Sequence, residues 1–182
     1  MQGEITYFDQ PGKENTDATL ELAVAAAKER DIGTIVVAST TGYTALEVVS
    51  RVEGTGIKLV IIPHQFGFRE EFEFDLSLVP KLEEQGHVFH AATMPFHTDG
   101  FHGSGAPTAL ANILRTLGHG TKVCLEIGLM AANGGHVGPD EECVLVAGTG
   151  RGADTAMVAT AASTMHLAAF KVHEILCKPI LR

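Results

Sequence analysis

The chain has no tryptophan and few aromatic residues, only two tyrosines and nine phenylalanines. Its three cysteines, Cys124, Cys143 and Cys177, are far apart and form no CxxC motif, which indicates reduced thiols in a cytoplasmic protein. Basic residues are also few, since 13 Lys and Arg stand against 22 Asp and Glu and give a formal net charge of −9. Because an acidic protein repels phosphate backbones, we expect no nucleic-acid partner.

Long apolar runs are absent as well. No run approaches the length of a membrane span, and the first residues, MQGEITYFDQPG, have neither the basic nor the apolar part of a secretion signal. We therefore expect a cytoplasmic protein that does not bind membranes. The 182 residues include 45% hydrophobic residues and 20 glycines, which is typical of one α/β domain spanning residues 1–182.

Apolar β-branched runs alternate with helical patterns in the first half of the chain. The predicted strands lie at 5–8, 34–38, 58–62 and 87–90. The predicted helices lie at 15–30, 43–52 and 76–84. This alternation indicates right-handed βαβ crossovers onto a parallel sheet.

The second half begins with a predicted helix at 107–117 and then becomes richer in strands. Segment 122–132 fits either a strand or a helix, because its apolar residues match both periods. Strands are predicted at 142–147, 155–160 and 170–177, with few helical turns between them. We therefore expect a mixed, mostly parallel sheet with antiparallel edges.

Three polar, glycine-containing loops follow the first three predicted strands, at 12–16, 39–44 and 64–69. Ligands of open parallel sheets bind beyond the carboxyl ends of the strands, so these loops are candidate ligand contacts. The second loop has the sequence STTGYT. Its hydroxyls and Gly42 precede a predicted helix, whose positive end favours an anion. Thr40 or Thr41 acting as a simple helix cap is an alternative, and the two roles are compatible. The spacing is not that of the ATP-binding phosphate loop.

A fourth loop, GTGRG at 148–152, has the spacing of a dinucleotide fingerprint, but a predicted strand follows it instead of a helix. We interpret it as a flexible loop that brings Arg151 near the ligand. The alternative is a β-turn with a solvated arginine.

Histidines and one acidic residue complete the candidates. His97 and His102, with His90 nearby, offer metal ligands, but their spacing matches no known site, so we assign no metal and prefer a solvated loop. His64 directly follows a strand, and Glu126 lies within an apolar run, so both are candidate acids or bases. Glu126 in solvent or in an ion pair with an arginine is the alternative. Cys124 is interpreted as a buried, unreactive residue.

The segment IVVASTTGYTALEVV resembles the effector-binding C-terminal domain of pyruvate kinase, and stand-alone archaeal and bacterial proteins of that fold. YFDQPGKENTDATLELAVAAAKE, GHGTKVCLEIGLMAANGG and GTGRGADTA support the resemblance. It implies a three-layer α/β/α fold with a mixed sheet whose last core strand is antiparallel, and it favours a helix at 122–132. Kinase catalysis is not implied, because the catalytic barrel has no counterpart in this chain.

The resemblance also implies a ligand. The matching loop of pyruvate kinase holds a sugar phosphate, and proteins of this kind are similar to binders of flavin mononucleotide (FMN). Phosphate contacts are thereby expected from the loop Ser39, Thr40, Thr41, Gly42, Tyr43 and Thr44. Lys13, Asn15 and Arg151 are expected at the edge of the site, with His64 and Phe66 near the rest of the ligand.

Three hypotheses follow. The first is a protein that binds a phosphorylated small molecule, most concretely FMN. The second is an enzyme acting on a phosphorylated metabolite, with His64 or Glu126 as acid or base. The third is a regulatory or structural subunit without catalysis, and the isolated regulatory fold also predicts a homo-oligomer.

Overall fold

The computed structural model describes residues 3–180, and within them seven strands form one sheet in the order β1-β7-β6-β5-β2-β3-β4. The strands are β1 (Thr6–Phe8), β2 (Thr34–Ala38), β3 (Lys58–Ile62), β4 (Val88–Phe89), β5 (Glu142–Ala147), β6 (Thr155–Thr160) and β7 (Lys171–Pro179). Each of the seven predicted strands is therefore confirmed, with ends shifted by two residues at most.

Six α-helices lie in the same residues. They are α1 (Thr16–Glu29), α2 (Tyr43–Val52), α3 (Val79–Glu84), α4 (Asp99–His102), α5 (Ala106–Arg115) and α6 (His119–Asn133). The predicted helices are confirmed, although the first turn of 76–84 is a 3-10 turn at Leu76–Leu78. The short helix α4 was not predicted, because four residues carry no periodic signal.

The ambiguous segment 122–132 lies inside α6 and is helical, as the resemblance implied. The strand-like alternation there arises because almost all of its residues are buried, on the side facing the sheet and on the side facing α5. Cys124, Ile127 and Met130 contact the sheet core, whereas Leu129 contacts the small cluster beneath α5.

Side chains of the central strands alternate between two cores, one on each face of the sheet. Ile35 and Val37 of β2 join the core beneath α1, α2 and α3. Val36, between them, joins the core beneath α6. A strand buried on both faces reads as a continuous apolar run, which is why TIVVA shows no alternation. The fold is thus a three-layer α/β/α sandwich with a mostly parallel sheet.

The expectation of antiparallel edge strands is wrong. Among the described strands, only β6 runs against the others, and it lies inside the sheet between β5 and β7. The edge strands β1 and β4 pair parallel with β7 and β3. The short β5–β6 and β6–β7 connections reverse the chain twice. The last strand, β7, therefore runs parallel to β5. β1 pairs with part of the outer edge of β7.

The carboxyl ends of β2, β3 and β5 lie side by side, because these strands are parallel neighbours. The loops that follow them, at 39–42, 63–75 and 148–154, therefore meet at one edge of the sheet. Within residues 3–180, no helix is long and apolar enough to cross a membrane.

Candidate functional site

A cleft of about 870 Å³ opens at this carboxyl edge. Its walls are the loops after β2, β3 and β5, the chain just before α1, and the first half of α6. The site residues predicted from sequence that line it are Lys13, Ser39, Thr40, Thr41, Tyr43, Thr44, His64, Glu126 and Arg151. The topology therefore brings together most of the residues that the sequence placed in separate loops.

The charge of the cleft is opposite to that of the chain. Five of the 13 basic residues line it: Lys13, Arg69, Arg115, Lys122 and Arg151. Only two of the 22 acidic residues do so, Glu73 and Glu126. A cleft that gathers cations in a protein of net charge −9 favours an anionic ligand.

Helix α2 directs its first turn at this cleft. The Ser39 hydroxyl accepts a hydrogen bond from the Ala45 amide at 3.2 Å, so Ser39 satisfies one of the free amides of the first turn. Among the described residues, the amides of Tyr43 and Thr44 donate no hydrogen bond, whereas the amides of Ala45 and Leu46 do. The prediction that Thr40 or Thr41 caps this helix is wrong, because the buried Ser39 takes that role instead.

Gly42 immediately precedes α2 in the left-handed conformation, with φ of 96°. A Cβ atom here would lie 2.7 Å from Cδ1 of Leu78. The missing side chain therefore makes room for Leu78 and permits the positive φ. Gly42 is not among the residues that line the cleft, although its neighbours Thr41 and Tyr43 are, and its contact with a ligand stays a prediction.

Asp154 connects two loops at the edge of the cleft by hydrogen bonds. This fully buried carboxylate accepts hydrogen bonds from the amide of Gly12 at 3.1 Å and from the amide of Thr149 at 3.0 Å. The loop before α1 is thereby held against the glycine loop, which brings Lys13 and Arg151 to the same cleft. Charge-assisted bonds of this kind are the stronger class of protein hydrogen bond.

Lys13 also contacts the start of α2. Its ammonium lies 4.2 Å from the centre of the Tyr43 ring, within the range of a cation–π interaction. The cation therefore lies beside a residue of the first turn of α2 that lines the cleft.

Two predicted contacts lie outside the cleft. The Asn15 side-chain amide donates to the Gln10 carbonyl at 2.8 Å and so stabilises its own loop. Phe66 stacks on Phe72, with ring centres 3.9 Å apart, and is 60% exposed. Phe68, two residues later, lines the cleft in its place.

Lys122 and Glu126 form a buried ion pair on one face of α6, and each side chain is only 2% exposed. The lysine Nζ lies 2.5 Å from a carboxylate oxygen of Glu126 and 3.0 Å from Nε2 of His97. The other carboxylate oxygen accepts a hydrogen bond from the Phe96 amide at 2.9 Å. Glu126 therefore faces neither solvent nor an arginine, so the alternative of a solvated or arginine-paired residue is wrong, and its role as an acid or base stays a prediction.

Burial lowers the pKa of Lys122 below its usual value, and the hydrogen bond and charge of Glu126 oppose that shift. Burial also lowers the pKa of His97, and the positive charge of Lys122 adds to that effect. A neutral imidazole with Nε2 facing an ammonium acts as a hydrogen-bond acceptor.

His64 follows β3 and also lines the cleft. Its Nδ1 has no hydrogen-bond partner among the described residues, and the nearest carboxylate oxygen, of Glu73, is 4.0 Å away. Burial lowers the pKa of this imidazole, with Arg69 as the next largest cause. Its ring lies 4.7 Å from that of Phe68, which in turn lies 4.9 Å from that of His97.

The loop at 97–102, for which the sequence predicted a solvated loop and no metal, contains a short helix and a histidine that contacts Lys122. The histidine is His97, and the helix is α4. In the part of the chain that the structure describes, no three His, Cys, Asp or Glu side chains form a group able to hold a metal ion.

The three cysteines are buried, as predicted for Cys124. Burial raises the pKa of each thiol, to about 12 for Cys143 and about 11 for Cys177, and well above its usual value for Cys124. A thiol that stays protonated is a poor nucleophile.

Sequence reasoning missed Lys122, Arg115, His119 and Asp154. A signal existed for Lys122, since a lysine four residues before a glutamate in a helix is a pairing pattern. The uncertainty between strand and helix at 122–132 concealed it, because the two residues share a helix face only if that segment is helical. Asp154 depends on contacts across more than 140 residues, for which a single sequence carries no signal.

Residues 17–159 match the family model described as pyruvate kinase, alpha/beta domain. This range covers more than half of the chain. The chain belongs to this family. The family match confirms the resemblance found in the sequence, and the three-layer fold agrees with it. The strand-to-helix loop 39–44, α6 and the glycine loop lie inside the matched range, whereas Lys13 precedes it.

Proposed function

We propose that this pyruvate kinase alpha/beta domain protein binds a phosphate-bearing small molecule in the cleft, with the phosphate at the start of α2. The observation that carries the proposal is the pair of backbone amides of Tyr43 and Thr44. They donate no hydrogen bond within the described residues, and Tyr43 and Thr44 line the same cleft as five basic side chains.

Helix termini of this kind bind phosphate because the free amides donate hydrogen bonds and the helix dipole attracts negative charge. Thr40, Thr41 and Thr44 add hydroxyl donors at the same end. Lys13 and Arg151 flank it and supply positive charge, and Asp154 holds both of their loops in place. The phosphate is thus met by neutral donors and by cations together.

FMN is the first ligand to test, because it joins a terminal phosphate to a planar ring system. Beyond the phosphate position, the cleft offers the rings of His64, Phe68 and His97. These rings supply an aromatic wall, while the phosphate-binding end stays polar. Within the same proposal, the three buried thiols suit the reducing conditions of a cytoplasmic protein.

Binding is tested by thermal unfolding with FMN and, as the matched compound without phosphate, riboflavin. A ligand present at one hundred times its dissociation constant stabilises the folded protein by about 2.7 kcal/mol. We expect FMN to raise the melting temperature and riboflavin to raise it less. The double variant Lys13→Met, Arg151→Met should lose the response, whereas Lys81→Met, at an exposed position of α3, should keep it.

If riboflavin stabilises as strongly as FMN, the phosphate position at α2 is wrong. If neither flavin has an effect but inorganic phosphate does, FMN is the wrong ligand and the phosphate subsite stands. If none of the three has an effect, the proposal as a whole is contradicted.

A second candidate is an enzyme that acts on a phosphorylated metabolite. The observation in its favour is the buried group of Lys122, Glu126 and His97 in the wall of the same cleft. Titratable groups with pKa values shifted by burial and by a charge partner are frequent in active sites. A screen of phosphorylated metabolites tests this candidate. Turnover should be lost in Glu126→Gln while stabilisation by phosphate is kept.

A further inference from the structure

We propose that Lys122 forms an imine with a phosphorylated aldehyde or ketone bound in the cleft, and that His97 is the base that frees its amine. The inference rests on the proposed function in one respect, the phosphate subsite at α2. It adds a reacting residue and the chemical class of the substrate.

The geometry distinguishes Lys122 from the other lysine of the cleft. Lys13 lies over the Tyr43 ring beside the phosphate position. Lys122 is on α6, where its Nζ contacts His97 at 3.0 Å and Glu126 at 2.5 Å. One lysine is thus a cation beside the anion site, and the other belongs to a group of acid and base side chains.

The partners of Lys122 supply the proton transfers that imine formation needs. The ammonium first transfers a proton to Nε2 of His97, which leaves a neutral amine. The amine nitrogen attacks the carbonyl carbon, and a proton passes from that nitrogen to the carbonyl oxygen, which becomes the hydroxyl of a carbinolamine. The imidazolium returns its proton to this hydroxyl, which leaves as water, and a protonated imine remains beside neutral His97. One water is released for each imine, and no oxidant or reductant is consumed.

Burial makes the ammonium of Lys122 easier to deprotonate. It lowers the pKa of Lys122, the hydrogen bond and charge of Glu126 oppose that shift, and the Arg115 guanidinium adds a smaller lowering. The pKa of His97 is lowered by burial, so its imidazole is neutral and ready to accept a proton. Lysines in such desolvated sites, close to other cations, are the ones used as nucleophiles.

The substrate class follows from the charges of the cleft. An amine nucleophile of this kind reacts with a carbonyl carbon. Five basic residues against two acidic ones select an anionic compound, and the amides of Tyr43 and Thr44 suit its phosphate. An aldehyde or ketone that carries a phosphate satisfies both requirements.

The experiment traps the imine with borohydride, using pyridoxal 5′-phosphate as the phosphorylated aldehyde and pyridoxal as the matched compound without phosphate. Reduction fixes the adduct as a mass increase equal to the reagent less one oxygen atom, and peptide mapping locates it. We expect Lys122 to be labelled at least about tenfold more than the exposed Lys81, because charge-assisted hydrogen bonds to the phosphate hold the aldehyde in the cleft. Pyridoxal should show no such preference, and excess inorganic phosphate should protect Lys122.

Two variants separate reaction from folding. Lys122→Arg keeps the positive charge beside Glu126 and should retain stabilisation by phosphate, but it should give no label on α6. His97→Gln should keep phosphate binding and label Lys122 more slowly, whereas His166→Gln, at an exposed position, should not change the labelling rate.

Labelling of Lys13 with Lys122 unmodified would overturn the inference, and protection by phosphate in that result would leave the proposed function standing. Equal labelling of Lys122 by pyridoxal and its phosphate, with no protection, would contradict the inference and the phosphate subsite together. An unchanged labelling rate in His97→Gln would remove His97 as the base.

Discussion

At the scale of single residues, the burial of two charged side chains, Lys122 and Glu126, is the feature of the cleft wall with the largest free-energy cost. Removing two charges from water is unfavourable, and their mutual attraction offsets that cost only while both are present and hydrogen-bonded. Here the pair meets the condition, since Glu126 also accepts from the Phe96 amide and Lys122 also contacts His97. The loss of either charge alone leaves the other one buried.

Lys122→Met is therefore expected to lower the free energy of unfolding by about 3–5 kcal/mol, because it leaves the Glu126 carboxylate buried without a cation. The double variant Lys122→Met, Glu126→Gln should recover most of this loss, since the amide is neutral and its oxygen still accepts from Phe96. Denaturant unfolding measures the free energy of unfolding of the single and the double variant. A single variant that loses less than about 1 kcal/mol, as is usual for exposed pairs, would show that the two charges are not buried in solution.

Six histidines predict the response to acid. Burial lowers the pKa below the ordinary value of 6.5 in His64, His87, His90, His97, His119 and His136. The unfolded chain therefore binds protons at a higher pH than the folded protein. Their contribution to stability is present above pH 6.5 and is lost as the pH falls from there through the lowered folded pKa values.

We expect urea unfolding to give a smaller free energy at about pH 5.5 than at about pH 7.5, in the range where histidines titrate. His64→Gln should reduce this difference, because it removes one partly buried histidine whose pKa is lowered. His166→Gln, at an exposed position, is the control. Stability that is equal or higher at the lower pH would contradict the lowered pKa values of these side chains in the folded protein.

At the scale of elements, most of the strands and helices could be predicted because their apolar runs and periods are strong. TIVVA and KLVII lie in the centre of the sheet, and nothing in their surroundings overrides the local pattern. The interior position of β6 could not be predicted in the same way. It depends on which neighbours two short connections bring together, and local periodicity does not record that.

The candidate site could be predicted in part from the order of the strands. Loops after parallel strands meet at one edge, so Ser39, His64 and Arg151 could be placed near the cleft by topology alone. Which side chain of a loop points inward could not be read from the sequence. Phe66 and Phe68 are two residues apart in one loop, and only Phe68 lines the cleft.

The glycine loop and the start of α1 form one unit that a pair of substitutions can test. A Cβ atom at Gly152 would lie 2.3 Å from Oγ1 of Thr16 and 2.8 Å from Cα of Lys13. Gly150 also has a positive φ, but a Cβ atom there would meet nothing within 4 Å. An alanine would therefore have a strained backbone at either position, but its Cβ atom would clash with neighbouring atoms only at position 152.

Gly150→Ala should cost about 1–2 kcal/mol of stability, since alanine is strained in the left-handed region. Gly152→Ala should cost about 1–3 kcal/mol more from overpacking, and it should weaken phosphate binding by moving Lys13 away from the cleft. Denaturant unfolding and phosphate titration of the two variants provide the comparison. Equal behaviour of both would contradict the close packing of the loop against α1.

At the scale of the whole molecule, the fold separates charge. The chain is acidic, yet the carboxyl edge of the sheet gathers five basic residues and the positive end of α2. Charge of one sign at a concave site attracts ligands of the other sign from a distance. The expectation of a homo-oligomer stays a prediction, and light scattering of the purified protein tests it.

The most direct test of the phosphate site is a titration with inorganic phosphate followed by the backbone amide resonances of the isotope-labelled protein. The site predicts that the amides of Tyr43 and Thr44 shift most, with one saturating curve, because they donate to the bound anion. The first amides of α5, whose first turn does not line the cleft, serve as the control for unspecific attraction to helix ends. Unchanged resonances at Tyr43 and Thr44, or equal shifts at the starts of α2 and α5, would contradict a phosphate site at the start of α2.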